Sequence, residues 1–283
     1  MSSIQVIKPG FFDSIQDLGR FGFRDLGVPL SGVLDSYSSK LANAILNNDA
    51  FCAVLEMALK GPTLLFQNDT VIAITGANLS PKLNEAPINM QTKINVNAGD
   101  VLSFGALKSG CRAYLAVDNG FKTEYVLGSF SYYKGITNFY KLEKGLFLEI
   151  EKSKSSHKLD NAHVKIDKEH FSTEIIEAFK GPEFNLLSKN QQNYLFKNKF
   201  KIELNSRMGY QIETTIALSH EIEMLTSSVM PGTVQLTQSG KLIVLMKDCQ
   251  TTGGYPRVLQ LTEKGIAAFA QKNTFQKIYF KIK

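Results

Sequence analysis

The stretch QTTGGYP at residues 250–256 gathers two hydroxyls, two glycines, a tyrosine and a proline between two strand-like apolar runs. Gly253 and Gly254 permit positive φ or close backbone approach, so their amides can face an anion or a carbonyl oxygen. Gln250 both donates and accepts hydrogen bonds, and with Tyr255 it can orient a small amide-like ligand. The same residues also suit a glycine-bulged hairpin whose tyrosine fills core and whose proline stops strand pairing. Spacing alone leaves both readings open.

A second chemically dense stretch is SIQDLGRFGFRDLGVPLSGVLD at 14–35. It reads as a glycine-punctuated loop in which Arg20 can clamp a carboxylate in a bidentate fork or pair with Asp17 to brace the loop. Asp35 is a candidate ligand contact and, equally, a helix cap. The glycines match neither a dinucleotide fingerprint nor a phosphate-binding loop, so nucleotide binding by either route is not expected. His157, His163 and His170 recur at spacings of six and seven in a charged segment, a pattern that fits a solvated linker better than a zinc site. Cys52, Cys111 and Cys249 are too dispersed for a disulfide framework and read as incidental or buried thiols. No metal site is expected.

The elements that must position these residues are mostly strands. Short β-branched or aromatic runs recur at 4–7, 63–66, 70–75, 101–104, 112–117, 199–204, 233–236, 242–246, 257–261 and 277–282, with Gly, Pro, Asn and Asp between them. This predicts a mainly β protein of sandwich or barrel type. Asp35 caps a predicted helix whose Leu41, Ala42, Ile45 and Leu46 share a face and which ends at Asn47 and Asn48. Further helices are expected at 188–196 and after Thr262, the latter despite Gly265.

A charged stretch, 151–170, divides the chain, giving domains 1–160 and 161–283. Each half carries Arg-x-Gly-aromatic followed by Gly-x-aliphatic-(Asp or Gln): RFGF (20–23) and GVLD (32–35), then RMGY (207–210) and GTVQ (232–235). This faint repeat makes Arg207 and Gln235 counterparts of Arg20 and Asp35, and all four join Gln250, Gly253, Gly254 and Tyr255 as candidate site residues. The alternatives are a loop brace for Arg207 and a solvent-facing strand position for Gln235.

The 283-residue chain is 43% hydrophobic, enough for well-buried cores. It has no apolar run near the length of a membrane span, and no leader-like N-terminus, so a cytoplasmic protein without a membrane partner is expected. The net charge of +6 comes mainly from scattered lysines without arginine–aromatic interleaving, which argues against a nucleic-acid partner.

DLGRFG with GVPLSGVLD, LANAILNN, GPTLLF, ITGA, RMGY, PGTVQ and QTTGGYP together resemble the biotin-dependent carboxyltransferase-like family, also called allophanate hydrolase subunit 2, over about residues 8–280. The resemblance implies two related cyclophilin-like β-barrel halves with a few short helices. It implies, for a stand-alone chain of this length, the C subunit of an ATP-dependent 5-oxoprolinase complex, working with B-like and A-like subunits on a small amide or lactam. ATP would be used by the complex, with no clear site for it on this chain. Alternatives within the family are a carboxyltransferase component of the urea carboxylase type and a non-catalytic partner of a kinase-inhibitor-like companion. On this reading the amides of Gly253 and Gly254 with Gln250 hold the amide function, Tyr255 walls the pocket, and Arg20 or Arg207 meets carboxylate or phosphoryl charge. Two departures stand out: Phe130 in GSFSYYKG occupies a position where relatives carry arginine, and Asn119 one where they carry glycine. Attached biotin is not expected, because Met246 and Lys247 end an apolar strand and are followed by Asp248 instead of a second methionine.

Overall fold

The computed structural model describes residues 2–152, 167, 169–214, 218 and 220–283. They pack as two compact units, one comprising Met1–Arg20 and Ser31–Phe171, the other Phe21–Leu30 and Ser172–Lys283. The expected boundary at 160/161 falls outside the described residues, as do His157 and His163. The units divide between Phe171 and Ser172, and the ten residues after Arg20 pack with the second unit.

In the first unit two sheets share a core of apolar side chains drawn from both. One sheet orders 147–150, 2–8, 63–66, 101–104, 81–83 and 86–87; the other orders 12–16, 54–58, 109–117, 70–78 and 94–96. Ile4, Val6, Leu64, Phe66 and Leu102 of the first sheet share a core with Leu55, Met57, Ile72, Ile74 and Leu115 of the second. Each such side chain contributes roughly 1.5–3 kcal/mol by leaving water.

Helix α1, Ser36–Leu46, starts where the Asp35 carboxylate accepts from the Ser38 amide and ends at Asn47 in the left-handed region, φ 63°. Its predicted apolar face, Leu41, Ala42, Ile45 and Leu46, packs with Val54, Val71, Ala73, Tyr114 and Ala116. Strand 109–117 therefore contributes to a core on each face, which explains why RAYLAV is a continuous apolar run where alternation would otherwise be expected. Helix α2, Glu169–Ser172, is a single turn.

The second unit closes into a seven-stranded barrel, ordered 175–180, 257–261, 233–236, 242–245, 209–213, 200–205 and 277–282. Closure leaves its strands no open edge, and Ile176, Phe200, Ile202, Tyr210, Val234, Val244, Leu259, Ile278 and Phe280 are buried. Helix α3, Lys189–Lys197, carries the Ser188/Gln191 capping box. Helix α4, Glu263–Ala270, is capped by Thr262, and its first turn needs Gly265 because a Cβ there would lie 2.3 Å from the Glu177 carbonyl oxygen. The mainly β expectation holds, with one half a closed barrel and the other a six-stranded and a five-stranded sheet. Among the described residues no helix is long and apolar enough to cross a membrane.

Candidate functional site

The QTTGGYP turn leaves the barrel after strand 242–245 and re-enters it at Arg257. Thr252–Gly253 forms a two-residue ladder with Ser227–Ser228, and the Val229 amide donates to the Thr251 carbonyl at 3.1 Å. The turn is thereby zipped along one side. Gln250, Gly254 and Tyr255 remain exposed on it, Tyr255 at 42%.

Gly253 is required for close approach, and neither it nor Gly254 is among the positive-φ glycines. A Cβ on Gly253 would lie 2.6 Å from Nε2 of Gln235. Gln235 is 1% exposed, so the solvent-facing alternative for it does not hold; its Nε2 reaches the Tyr255 carbonyl at 3.5 Å. Gln235, named from the GTVQ motif, thus meets Gly253 and Tyr255 of the QTTGGYP motif.

Arg207 braces the entry to the turn. Its Nε and Nη2 donate to Oδ2 and Oδ1 of Asp248 at 2.9 and 3.1 Å, and the Asp248 amide returns a bond to the Arg207 carbonyl. Both side chains are largely buried. A planar fork on a carboxylate fixes orientation as well as distance, so Asp248 enters the motif in one geometry. The exit is held by a pair that the sequence reading missed: Arg257 donates to both carboxylate oxygens of Glu183, at 2.9 and 2.7 Å, and also to the Ser228 carbonyl. Those bonds hold the Glu183 carboxyl below its usual range. The proximity of KGPE (180–183) to the turn is a product of barrel pairing and leaves no local signal.

The loop after Arg20 supplies another missed residue. Arg24 donates to the Val229 carbonyl and lies against the Cys249 thiol, which burial pushes up to about 11. A thiol so protonated is no nucleophile at neutral pH, in line with the reading of Cys249 as a buried, incidental group.

Arg20 is sealed within the first unit. It is fully buried, with Nε donating to the Val126 carbonyl at 3.0 Å and Nη2 to the Ser131 carbonyl at 2.8 Å. Asp17 holds the same loop, accepting from the Gly19 and Phe130 amides and the Ser129 and Ser131 hydroxyls. The GSFS segment is therefore fixed through its backbone and serines, while Phe130 lies tilted against Tyr125, ring centroids 4.7 Å apart. Asn119 takes φ 60°, a conformation asparagine tolerates better than most residues, which accounts for its standing in for glycine.

Asp35 is fully buried. Besides capping α1 it accepts from the Ser38 hydroxyl at 2.6 Å and lies 3.0 Å from Nε2 of His170. The solvated-linker expectation is corrected for His170: it is buried, because α2 lays it against Asp35 and the Tyr37 ring. Behind Asp35, Tyr114 accepts from the Asp35 amide and donates to Glu56, and burial raises its hydroxyl well above the ordinary range. Lys247 is also buried, 4.0 Å from Glu263, on the segment that leaves the barrel.

Residues 26–282 match the family described as carboxyltransferase domain, subdomain A and B. The chain is 32% identical over 283 residues to the C subunit of 5-oxoprolinase from Escherichia coli (strain K12), covering 98% of this chain and 90% of that one. Among solved structures, it superposes on TTHA0988 with a TM-score of 0.85 at 27% identity, covering 99% of this chain and 55% of that one. The K. lactis urea amidolyase gives a TM-score of 0.85 at 27% identity, with 98% of this chain but 18% of that one covered. The chain thus spans about half of the first of these solved structures and less than a fifth of the second. By the extent of the family match and of the similarity to the 5-oxoprolinase component, this chain belongs to the carboxyltransferase-domain family, subdomain A and B.

Proposed function

We propose that this chain is the C subunit of an ATP-dependent 5-oxoprolinase, a cytoplasmic complex with B-like and A-like subunits that opens a cyclic amide, 5-oxoproline, to glutamate. The observation that carries the reading is end-to-end similarity to a protein named for that role, with 90% of its length covered. The similarity to urea amidolyase touches only a small part of a much longer chain, and so favours a shared fold module over a shared reaction.

The turn supplies groups suited to a lactam. Ring opening adds water to the carbonyl carbon and breaks the C–N bond, and ATP consumed by the complex offsets the poor electrophilicity of the amide. Exposed Gln250 can accept the lactam N–H while donating to its carbonyl oxygen, and the exposed Gly254 backbone leaves room for close approach. Exposed Tyr255 offers its ring as a wall for the bound lactam. Gly253 and Gln235 act as positioning residues through their mutual contact, and Arg207 through Asp248. Arg20 orders the 126–131 loop and Asp35 the start of α1, both within the first unit. Buried Lys247 supports a reaction without attached biotin.

The test is ATP-dependent glutamate release by this chain reconstituted with its B-like and A-like companions. Gln250→Ala should abolish turnover and leave the melting temperature unchanged, since its side chain is exposed on the turn. Unchanged turnover would refute the assignment.

A further inference from the structure

In the first unit the turn Pro9–Phe12 and the segment Lys141–Lys144 enclose a cavity of about 330 Å3 that the proposed function does not use. Its two walls are tied by the Leu142 amide donating to the Asp13 carbonyl at 2.7 Å, so its shape is built into the sheet. Gly10 cannot carry a side chain here, because a Cβ would lie 2.0 Å from the Lys60 carbonyl and 2.8 Å from both carboxylate oxygens of Asp13.

Asp13 lines the cavity and is 2% exposed. Oδ2 accepts the Gly10 amide at 2.5 Å, while Oδ1 is buried with no hydrogen-bond partner. A buried carboxylate oxygen left without a donor costs on the order of 1–3 kcal/mol. Burial pushes this carboxyl up to about 7, with the Gly10 amide pulling the other way. The other charged groups lining the cavity are Lys141, Glu143 and Lys144, and Phe11, Phe12, Leu142 and Pro9 add apolar wall.

Charge arrangement restricts the occupant. An anion alone would meet Asp13 and Glu143 and a cation alone would meet two lysines, whereas a molecule carrying both charges satisfies each end. We propose that this cavity binds a small amino-acid zwitterion, its ammonium group donating to the unpartnered, buried Asp13 oxygen and its carboxylate facing Lys141 and Lys144, with an aliphatic body against the phenylalanines.

The probe is L-norvaline, titrated calorimetrically into the 283-residue chain, beside butylamine and pentanoate, which keep its propyl group and lose one charge each. Norvaline should bind saturably, with each single-charge analogue at least tenfold weaker. Its affinity should rise about tenfold per pH unit from 5 to 7 and then level off, because an ammonium donor needs the ionised Asp13. Asp13→Asn should remove that pH dependence and weaken binding at least tenfold at pH 7.5. The rim variant Lys141→Ala/Lys144→Ala, at a half-buried and an exposed position, should weaken norvaline and pentanoate while sparing butylamine. Absence of saturable binding, equal binding of the analogues, or an affinity unaltered by both variants would each overturn the proposal.

Discussion

The two Arg-x-Gly-aromatic segments begin alike and end in opposite chemistry. Arg20 spends its guanidinium on the Val126 and Ser131 carbonyls and is wholly enclosed; Arg207 spends its fork on the carboxylate of Asp248, at the root of the exposed turn. Their partner glycines match closely: Gly32 and Gly232 have φ of 88° and 87°. A Cβ would collide at both, with the Gly19 amide in the first unit and the Gln260 side chain in the second. The repeat has kept the backbone device and changed what the charge does. In the first unit the charge freezes a loop. In the second it orients an acid beside the exposed residues of the turn.

That contrast is most severely tested at Arg20. Arg20→Ala removes a buried cation and strands two carbonyls, for a loss of about 5 kcal/mol in urea unfolding. Arg20→Lys should recover little, because a single ammonium cannot span both carbonyls as the guanidinium does. A loss under about 1 kcal/mol for the alanine variant would mean that the loop is held by Asp17 alone.

Asp13 sharpens the comparison from the acidic side, being as buried as Asp248 but without a guanidinium. The unfolded chain releases this proton near 3.8 and the folded chain near 7, so the folded state binds it more tightly. Its contribution is fully present below about pH 4 and is lost as pH rises through 7, a span worth at most about 4 kcal/mol. Asp13→Asn should flatten the stability-against-pH curve over that window. A slope unchanged by the substitution would place the titration elsewhere.

The same contrast explains how much was legible in the sequence. Caps and apolar faces are local, and Asp35, Ser188 and Thr262 start helices as their types predict. Alternating runs such as TVQL and KIYFKI are strands for the same reason. FDSIQ at 12–16 and VLEMA at 54–58 are strands that polar residues disguise. Asp13, Ser14, Gln16 and Glu56 are all buried there, and two of them are satisfied by groups far away in sequence: the Glu56 carboxylate takes the Leu34 amide and Tyr114 hydroxyl, and the Gln16 side chain donates to the Tyr132 carbonyl and accepts the Gly32 amide. Of the site, the turn and Gln235 are each flagged by a motif, but their meeting comes only from the pairing of strands 233–236 and 257–261. Arg24, Glu183 and His170 do not, since each gains its role from a long-range contact that no spacing encodes.

Arg207 and Asp248 should respond as a pair. Either Arg207→Met or Asp248→Asn leaves one buried partner unmatched and should cost about 3 kcal/mol, less than a fully enclosed pair because both side chains retain slight exposure. The double variant should cost much less than the sum, with a coupling near ~2 kcal/mol in a double-mutant cycle. Additive losses would mean that the two side chains do not interact energetically.

The smallest stability effect belongs to Gly253→Ala. The added methyl collides with the amide end of Gln235, a group that can shift, and meets Val229 at an ordinary 3.5 Å, so unfolding should change by about 1 kcal/mol. The shift would nonetheless pull Gln235 from the Tyr255 carbonyl and displace the turn that presents Gln250. Turnover in the reconstituted complex should therefore fall far more than stability does. The truncation Gln235→Ala combined with Gly253→Ala should restore room for the methyl without restoring the contact. If activity falls through crowding alone, the double variant recovers it; if the Gln235–Tyr255 contact sets the turn, activity stays low, and the positioning role of Gln235 is separated from mere fit.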